Sequence, residues 1–270
     1  MNEHEHQPEL TEPEMKEAQH RSSATARVVH EAVRREGEDE LKRTSMALAW
    51  SGLAAGLSMG FSLILEGILR SHLPGGPAMT LISKFGYSAG FVIVILGRQQ
   101  LFTENTLTAV LPLLDQRDKA TARNVVRLWV VVLIANLVGA LAIASVMART
   151  EVFAPEVRQA FGAIGMEALQ NSFGLAFLRG IFAGWLLALL VWLLPFAEHA
   201  RFFVIIGIAW MIGVCSFTHV VAGAVEVFFA AASGLAPWHN TAGYIIPALL
   251  GNIVGGIALV SALNHAQVVS

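Results

Sequence analysis

Residues 202–225 read FFVIIGIAWMIGVCSFTHVVAGAV, a run with one histidine and no aspartate, glutamate, lysine or arginine. A helix of about 20 residues is long enough to cross the roughly 30 Å hydrocarbon core of a bilayer. The run therefore predicts a membrane-spanning segment, and His219 lies within it. Ionisable side chains inside membrane spans are rare and are usually functional. We expect His219 to belong to a functional site, with a packed structural histidine as the alternative.

Five further segments of the 270-residue chain have the same apolar character. Four of them contain no charged side chain: residues 46–65, 128–148, 180–197 and 241–263. The fifth, residues 85–114, is interrupted by Arg98, Gln99, Gln100 and Glu104. Only 14% of all residues are charged, whereas soluble domains have about 25%. The sequence thus predicts an all-α polytopic membrane protein with six transmembrane helices.

The charged residues are concentrated at the N-terminus. We expect residues 1–45 to form a solvated, partly helical tail, in which Thr11 and Glu14 make a capping box. An oligomer contact or binding to the lipid surface is the alternative. His4 and His6 in this tail are expected to be incidental, and not metal ligands.

The distribution of positive charge predicts the orientation of the chain. Lysine and arginine are frequent in the tail and in the loop at 117–127, and they are sparse in the loops of the opposite side. Cytoplasmic loops carry the excess of these residues, so both termini are predicted to be cytoplasmic. The chain opens with a polar tail and without a short apolar core, so no secretory signal is expected.

An internal repeat predicts where the site lies. Three runs recur in the same order along the chain: Gly52–Gly56 as Gly180–Gly184, Phe102-Thr103-Glu104 as Phe217-Thr218-His219, and Ala135–Gly139 as Gly251–Gly255. The repeats cover about 46–148 and 175–264. Three spans in each give them opposite orientations, and inverted repeats place the solute site at mid-membrane between broken helices. We therefore expect breaks in spans two and five, at 101–105 and 215–219.

The residue types at these breaks suggest a chemistry. The N-terminus of a half-helix carries positive potential and attracts an anion or a polarised neutral solute. Imidazole buried at this depth is expected to be mostly neutral and able to donate a proton transiently. Thr103 and Thr218 are expected either to cap the second half-helices or to bind the solute through their hydroxyl groups.

Four groups of residues resemble the formate/nitrite transporter family, most of all its YfdC-like branch. They are Leu101-Phe102-Thr103 with Asn105, Phe217-Thr218-His219, Arg179-Gly180-Ile181 with two tryptophans, and Ile246-Pro247 followed by Gly251–Gly256. The resemblance covers residues 46–264. It implies a homopentamer in the bacterial inner membrane, each protomer with an aquaporin-like six-helix fold and its own pore. Members of the family pass small monovalent anions such as formate, nitrite or hydrosulfide, or their neutral acids.

The resemblance also implies roles for individual residues. His219 matches the central histidine of the pore, and Thr103 matches the threonine of the loop that breaks span two. Two sets of apolar residues then form the constrictions: Leu101 and Phe102 on the cytoplasmic side, and Tyr87, Phe91 and Ile212 on the other. Glu104, Asn105 and Thr218 complete the polar centre. An apolar ring around such a centre favours a solute that becomes neutral in transit.

Two positions depart from the family pattern. Gly184 stands where the family commonly has asparagine, and Glu104 stands where glycine or serine is usual. Three outcomes are open for Glu104: it is protonated, it pairs with His219 or Arg98, or it marks a neutral or cationic solute. Its simplest role is to stabilise the first turn of the second half-helix. A non-conducting member of the fold is the alternative function. We expect no enzymatic activity, no cofactor, no metal and no nucleic-acid partner. The expected partners are the small solute and membrane lipid.

Overall fold

The computed structural model describes residues 11–12 and 25–262. Within these ranges the chain forms the following α-helices: α1 Ala26–Lys42, α2 Ser45–His72, α3 Pro77–Ser83, α4 Ser88–Leu96, α5 Asn105–Thr108, α6 Val110–Gln116, α7 Lys119–Arg149, α8 Pro155–Leu169, α9 Phe173–Leu193, α10 Arg201–Val214, α11 Val220–Ala232 and α12 His239–Val254. A 3₁₀ turn, Lys84–Tyr87, joins α3 to α4, and a π-helical segment, Gly255–Ala262, continues α12.

Five helical segments of the described chain are long and apolar enough to cross a membrane. They are Ser45–His72, Pro77–Leu96, Lys119–Arg149, Phe173–Phe196 and His239–Ala258. The span predicted at 202–225 is instead divided between α10 and α11, each of which is too short to cross alone. The segment predicted at 85–114 also differs, because its first helical part begins at Pro77 and ends at Leu96.

Two pairs of long helices pack closely, α2 on α7 and α9 on α12. Small residues permit this approach, as is common between helices in membranes. A Cβ atom added to Gly56 would collide with the backbone carbonyl of Asn136, and one added to Gly184 would collide with that of Asn252. Gly184 is therefore a close-packing residue, and a larger side chain such as asparagine does not fit there without a shift of the backbone.

Helix α1 is packed against the helical body, where the sequence predicts a solvated tail. Val33 is fully buried and packs with Leu107, Leu111 and Val191. Gly37 lies directly against the backbone carbonyl of Thr108, so no larger residue fits at this crossing. The predicted capping partner Glu14, and also His4 and His6, lie outside the described residues.

The exposed side of α1 carries a cluster of ion pairs. Arg34 donates to Glu31 at 2.8 Å and to Glu38 at 2.5 Å, and Arg35 donates to Glu31 at 2.6 Å. The hydrogen bonds from Arg34 and Arg35 lower the pKa of Glu31 to about 2. Arg34 also lies 3.7 Å from Asp115 at the end of α6, which links α1 to the helical body electrostatically.

Candidate functional site

Two helices are interrupted inside the helical body, and the interruptions begin in the same way. Helix α4 ends at Leu96 and α5 begins at Asn105; helix α10 ends at Val214 and α11 begins at Val220. The second interruption covers 215–219, as the sequence predicts, whereas the first starts at Gly97 and is longer than the predicted 101–105.

A left-handed residue ends the first half of each broken helix. Arg98 has φ 50° and Ser216 has φ 53°. The next backbone N–H then reaches back to a helix carbonyl, from Gln99 to Val94 at 2.9 Å and from Phe217 to Ile212 at 3.0 Å. This is the Schellman arrangement that closes helix C-termini. Both breaks are therefore hydrogen-bonded structures with defined ends.

Two buried asparagines hold the breaks in place. Asn136 on α7 accepts a hydrogen bond from the Phe102 N–H at 2.9 Å, and its amide donates to the carbonyls of Gly52 and Gln100 at 2.7 and 2.8 Å. Asn136 has no exposed surface. The bond to Gly52 joins α7 to α2, and the bonds to Phe102 and Gln100 satisfy the irregular backbone of the first break.

Asn252 on α12 repeats this pattern at the second break. It accepts from the Val220 N–H at 2.9 Å and donates to the carbonyls of Gly180 and Thr218, each at 2.9 Å. An unpaired buried backbone group is costly, and no water is available for it in the membrane interior. The recurrence of the asparagine in the internal repeat was the signal that could have revealed this role.

His219 lies at the junction of the two breaks and has no exposed surface. Its Nδ1 accepts the backbone N–H of Ala222 at 3.0 Å, which makes the imidazole the N-cap of α11. Because Nδ1 accepts this bond, the proton of the neutral ring is on Nε2. Nε2 therefore donates to Oγ1 of Thr103 at 2.8 Å, so that one side-chain hydrogen bond joins the two breaks.

The capping roles predicted for the threonines are wrong. Thr218 donates to the backbone carbonyl of Ala176 at 2.5 Å, and Thr103 is bonded to His219. At the first break Glu104 has the N-cap position, and no side chain caps the helix there. At the second break His219 supplies the side-chain cap.

Glu104 does not pair with His219 or with Arg98 in the described structure. It is partly buried and faces a cavity beside α1. The nearest carboxylate partner of Arg98 is Glu36, at 3.9 Å. Pairing with His219 is prevented because both ring nitrogens are already bonded, to Ala222 and Thr103.

Two cavities lie on opposite sides of the Thr103–His219 pair. The α1-side cavity has a volume of about 630 Å³, and its charged lining residues are Glu36, Asp39, Glu40, Arg43, Arg98, Glu104 and Arg201. The α8-side cavity has a volume of about 430 Å³, and its charged lining residues are Lys84, Glu167, Arg179 and Glu226. Acidic groups outnumber basic ones in the first cavity, whereas the two are equal in the second.

The residues predicted to form the outer constriction lie between the α8-side cavity and His219. Tyr87 and Ile212 line that cavity. Phe91 is fully buried, with its ring centroid 5.4 Å from that of Tyr87 and 5.1 Å from that of His219. These contacts form an apolar layer between the cavity and the imidazole.

The residues predicted for the other constriction are buried beside the α1-side cavity but do not line it. Leu101 has no exposed surface, and the ring of Phe102 packs 5.8 Å from that of Trp129. Asn105 does line this cavity, and its amide donates to Oε1 of Gln100 at 3.0 Å. The polar floor of the cavity is thus formed by Gln100, Glu104 and Asn105.

The ion pairs in and beside the α8-side cavity were not predicted from the sequence. Lys84 forms an ion pair with Glu66, which is 1% exposed, and Arg70 donates to Glu167 at 2.9 Å. Glu226 faces the same cavity. The signal for Lys84 was present, since one lysine stands within an otherwise apolar helical segment, Pro77–Leu96.

Comparison with known proteins decides the family. The family model described as formate/nitrite transporter matches residues 27–266. The chain belongs to the formate/nitrite transporter family. The match includes α1, so the start of the resemblance predicted at residue 46 is wrong, and residues 27–45 are part of the family's sequence pattern.

Several members of the formate/nitrite transporter family are similar over most of the chain. Inner membrane protein YfdC of Escherichia coli (strain K12) is 41% identical over 249 residues, which cover 92% of this chain and 80% of YfdC. The formate channel BtFdhC of Bacillus thuringiensis is 26% identical over 250 residues, which cover 89% of this chain and 93% of the channel. The predicted resemblance to the YfdC-like branch is confirmed.

Two solved structures share the fold. A pentameric formate channel with formate bound superposes with a TM-score of 0.71 at 21% identity, over 84% of this chain and 98% of the channel. An ion channel of the formate/nitrite transporter family superposes with a TM-score of 0.77 at 15% identity, over 88% of this chain and 98% of that one. The chain therefore has the fold of these channels and is a membrane protein of a transporter family.

Proposed function

We propose that the chain forms an inner-membrane channel for a small monovalent anion such as formate, or for its neutral acid. The observation that carries this proposal is the buried hydrogen bond between Thr103 and His219, which lies between two cavities and joins the two broken helices. The family to which the chain belongs transports such solutes, and the formate channel of Bacillus thuringiensis is one of its relatives.

The solute path runs between the two cavities through the Thr103–His219 pair. From the α8-side cavity the solute passes Tyr87, Phe91 and Ile212, and beyond the pair it passes Leu101 and Phe102 to reach the α1-side cavity. Apolar walls disfavour a bare ion because a charge loses its hydration there. The path therefore selects a solute that is neutral when it meets the imidazole.

His219 acts on this path as a hydrogen-bonding group. Its Nε2–H donates to Thr103, which leaves the threonine hydroxyl proton free to donate to a solute oxygen. Protonation of Nδ1 would remove the cap of α11 and place a positive charge at the helix N-terminus, where the helix dipole opposes it. Thr103 and His219 thus recognise a small polar solute and keep the imidazole uncharged.

We extend the proposal to topology and assembly. The two broken helices complete a set of six spans arranged as inverted repeats in an aquaporin-like fold, and the α1-side cavity opens to the cytoplasm with both termini. Five copies assemble, each with its own pore; the pentameric formate channel of the same fold supports this. Mass measurement of the detergent-solubilised protein tests the assembly, and any stoichiometry other than five contradicts it.

A second candidate is a channel for a neutral or cationic solute, or a member of the fold that does not conduct. The α1-side cavity favours it, since Glu104 has no ion-pair partner in the described structure and Glu36, Asp39 and Glu40 line the same space. Four acidic side chains against three basic ones give the cavity lining a small excess of negative charge, which disfavours anions. Exchange of Glu104 for glutamine separates the candidates: an anion channel retains or gains anion flux, whereas a cation-selective pore loses cation flux.

Flux into liposomes containing the purified protein tests the proposed function. We expect uptake of formate, nitrite or hydrosulfide that depends on the protein. His219→Asn keeps a side-chain oxygen able to cap α11, whereas His219→Ala does not. If histidine matters for recognition, both variants reduce uptake; if it serves only as a cap, His219→Asn behaves as the wild type. Absence of uptake for every solute would refute the channel.

A further inference from the structure

The acidic groups in and beside the α8-side cavity differ in how they are bonded. Glu66 is held by Lys84, and Glu167 is held by Arg70. The carboxyl group of Glu226 lines the same cavity, and in the described part of the chain it makes no hydrogen bond and no ion pair. Glu226 is therefore the acid of this cavity whose oxygens remain available to a solute.

The groups that face Glu226 come from every element packed around it. Glu66 on α2, Lys84 and Tyr87 in the 3₁₀ turn, Glu167 on α8 and Tyr244 on α12 are its charged or titratable neighbours. The ammonium of Lys84 is already bonded to Glu66, and Arg179 on α9, the other cation that lines the cavity, donates to Asn171 at 2.6 Å. Two further carboxylates near a partly buried acid oppose a third negative charge. This setting suits a carboxyl group that carries a proton and passes it on.

Glu226 also lies on the solute path proposed above. It lies on α11 seven residues after His219, the N-cap of that helix, which corresponds to two helical turns or roughly 10 Å along the helix axis. Gly223 lies between them, and the ring of Tyr244 packs directly against it. The Tyr244 hydroxyl approaches the His219 carbonyl at 3.5 Å. Glu226 therefore lies about two helical turns from the Thr103–His219 pair, at the α8-side cavity.

His219 is poorly placed to supply a proton itself. Its Nε2–H is used by Thr103, and its Nδ1 is occupied by the Ala222 N–H. A proton taken up at Nδ1 breaks the helix cap. A solute that must be neutral before it reaches the apolar layer at Phe91 needs a donor on the cavity side of that layer, which is where Glu226 lies.

We propose that Glu226 exchanges a proton with the weak-acid solute in the α8-side cavity. On inward passage the Glu226 O–H bond breaks, its electron pair stays on the Glu226 oxygen, and an O–H bond forms on the solute carboxylate. The neutral acid then crosses to the α1-side cavity. Glu226 regains a proton from hydronium in the water of the α8-side cavity, and outward passage reverses these steps. The proposal rests on the proposed channel function.

Comparison of formate with formamide tests this role. Formamide has nearly the size of formic acid but needs no proton to be neutral. We expect Glu226→Gln to lower the uptake of formate into liposomes at neutral pH by about tenfold or more, because a positioned proton donor contributes at least that much. Uptake of formamide should not change, and Glu226→Asp should restore most of the formate uptake.

Glu156→Gln is the control, since it removes an exposed acid on α8 that lines neither cavity. Its formate uptake should stay close to that of the wild type. Unchanged formate uptake by Glu226→Gln would refute the proton role. Increased uptake would refute it too, because Glu226 would then only repel the anion. Equal loss of formate and formamide would show a structural role. If the wild-type protein takes up no formate, the proposed channel function is refuted, and the proton role is refuted with it.

Discussion

Exchange of Asn252 for alanine is expected to destabilise the protein strongly. The substitution leaves two buried groups of the second break without partners, the N–H of Val220 and the carbonyl of Thr218, and it removes an additional bond to the carbonyl of Gly180, which lies within α9. An unsatisfied buried group costs about 1–3 kcal/mol. Carbonyl groups tolerate loss better than N–H groups do, so the sum for the two groups is about 2–5 kcal/mol.

Thermal unfolding of the protein in detergent measures this loss. At about 2–4 °C per kcal/mol for a chain of this size, the midpoint should fall by roughly 4–20 °C. Asn240→Ala, at an exposed position near the start of the same helix, is the control and should leave the midpoint unchanged. Asn136→Ala should resemble Asn252→Ala because it loses the equivalent bonds at the first break. If Asn252→Ala unfolds at the temperature of the Asn240 control, the asparagine does not hold the break.

Three further predictions concern packing, the pore and α1. Gly184→Ala should lower the unfolding midpoint, since its Cβ meets a backbone carbonyl at a cost of about 1–3 kcal/mol, whereas Gly207→Ala, which faces open space, should not. Thr103→Val should lower formate uptake roughly tenfold by removing the acceptor of His219, and Thr103→Ser should restore it; uptake by the valine variant equal to that of the wild type would contradict the account. The pKa of Glu31 is lowered from 4.5 to about 2, so its ion pairs contribute fully above pH 4.5 and are lost only as the pH falls towards 2. Glu31→Gln should therefore leave the pH profile of uptake between about pH 5 and 7 unchanged.

The position of the second break could be predicted because the sequence marks it twice. His219 is the single ionisable group in its apolar run, and Phe217-Thr218 repeats Phe102-Thr103. The extent of the first break could not be predicted, because it depends on the left-handed backbone conformation of Arg98. Arginine has no preference for the left-handed region.

The cap of α11 illustrates why side-chain partners were harder to predict. Threonine is the better N-cap by preference, and Thr218 stands next to the helix start. In the structure the Ala176 carbonyl lies within reach of the Thr218 hydroxyl, and His219 turns its Nδ1 back to Ala222 instead. The side chains of Thr218 and His219 could both bond to the free N–H groups at the start of α11. His219 caps the helix because the Thr218 hydroxyl is bonded to α9.

The packing of α1 was hidden by its composition. Its apolar residues are sparse and its charged residues are many, which is typical of a solvated helix. The buried side chains of Val33 and Leu41 and the close contact of Gly37 with the Thr108 carbonyl position it. The structure thereby places acidic residues of α1, among them Glu36, at the same cavity as Glu104.

Simultaneous measurement of formate uptake and luminal pH in liposomes tests the central claim most directly, which is that the solute crosses the Thr103–His219 layer as a neutral acid. The account predicts that each formate carries one proton, so that the lumen acidifies in step with uptake and no membrane potential develops. Uptake that builds a membrane potential without luminal acidification would show that the bare anion crosses, and would contradict the account.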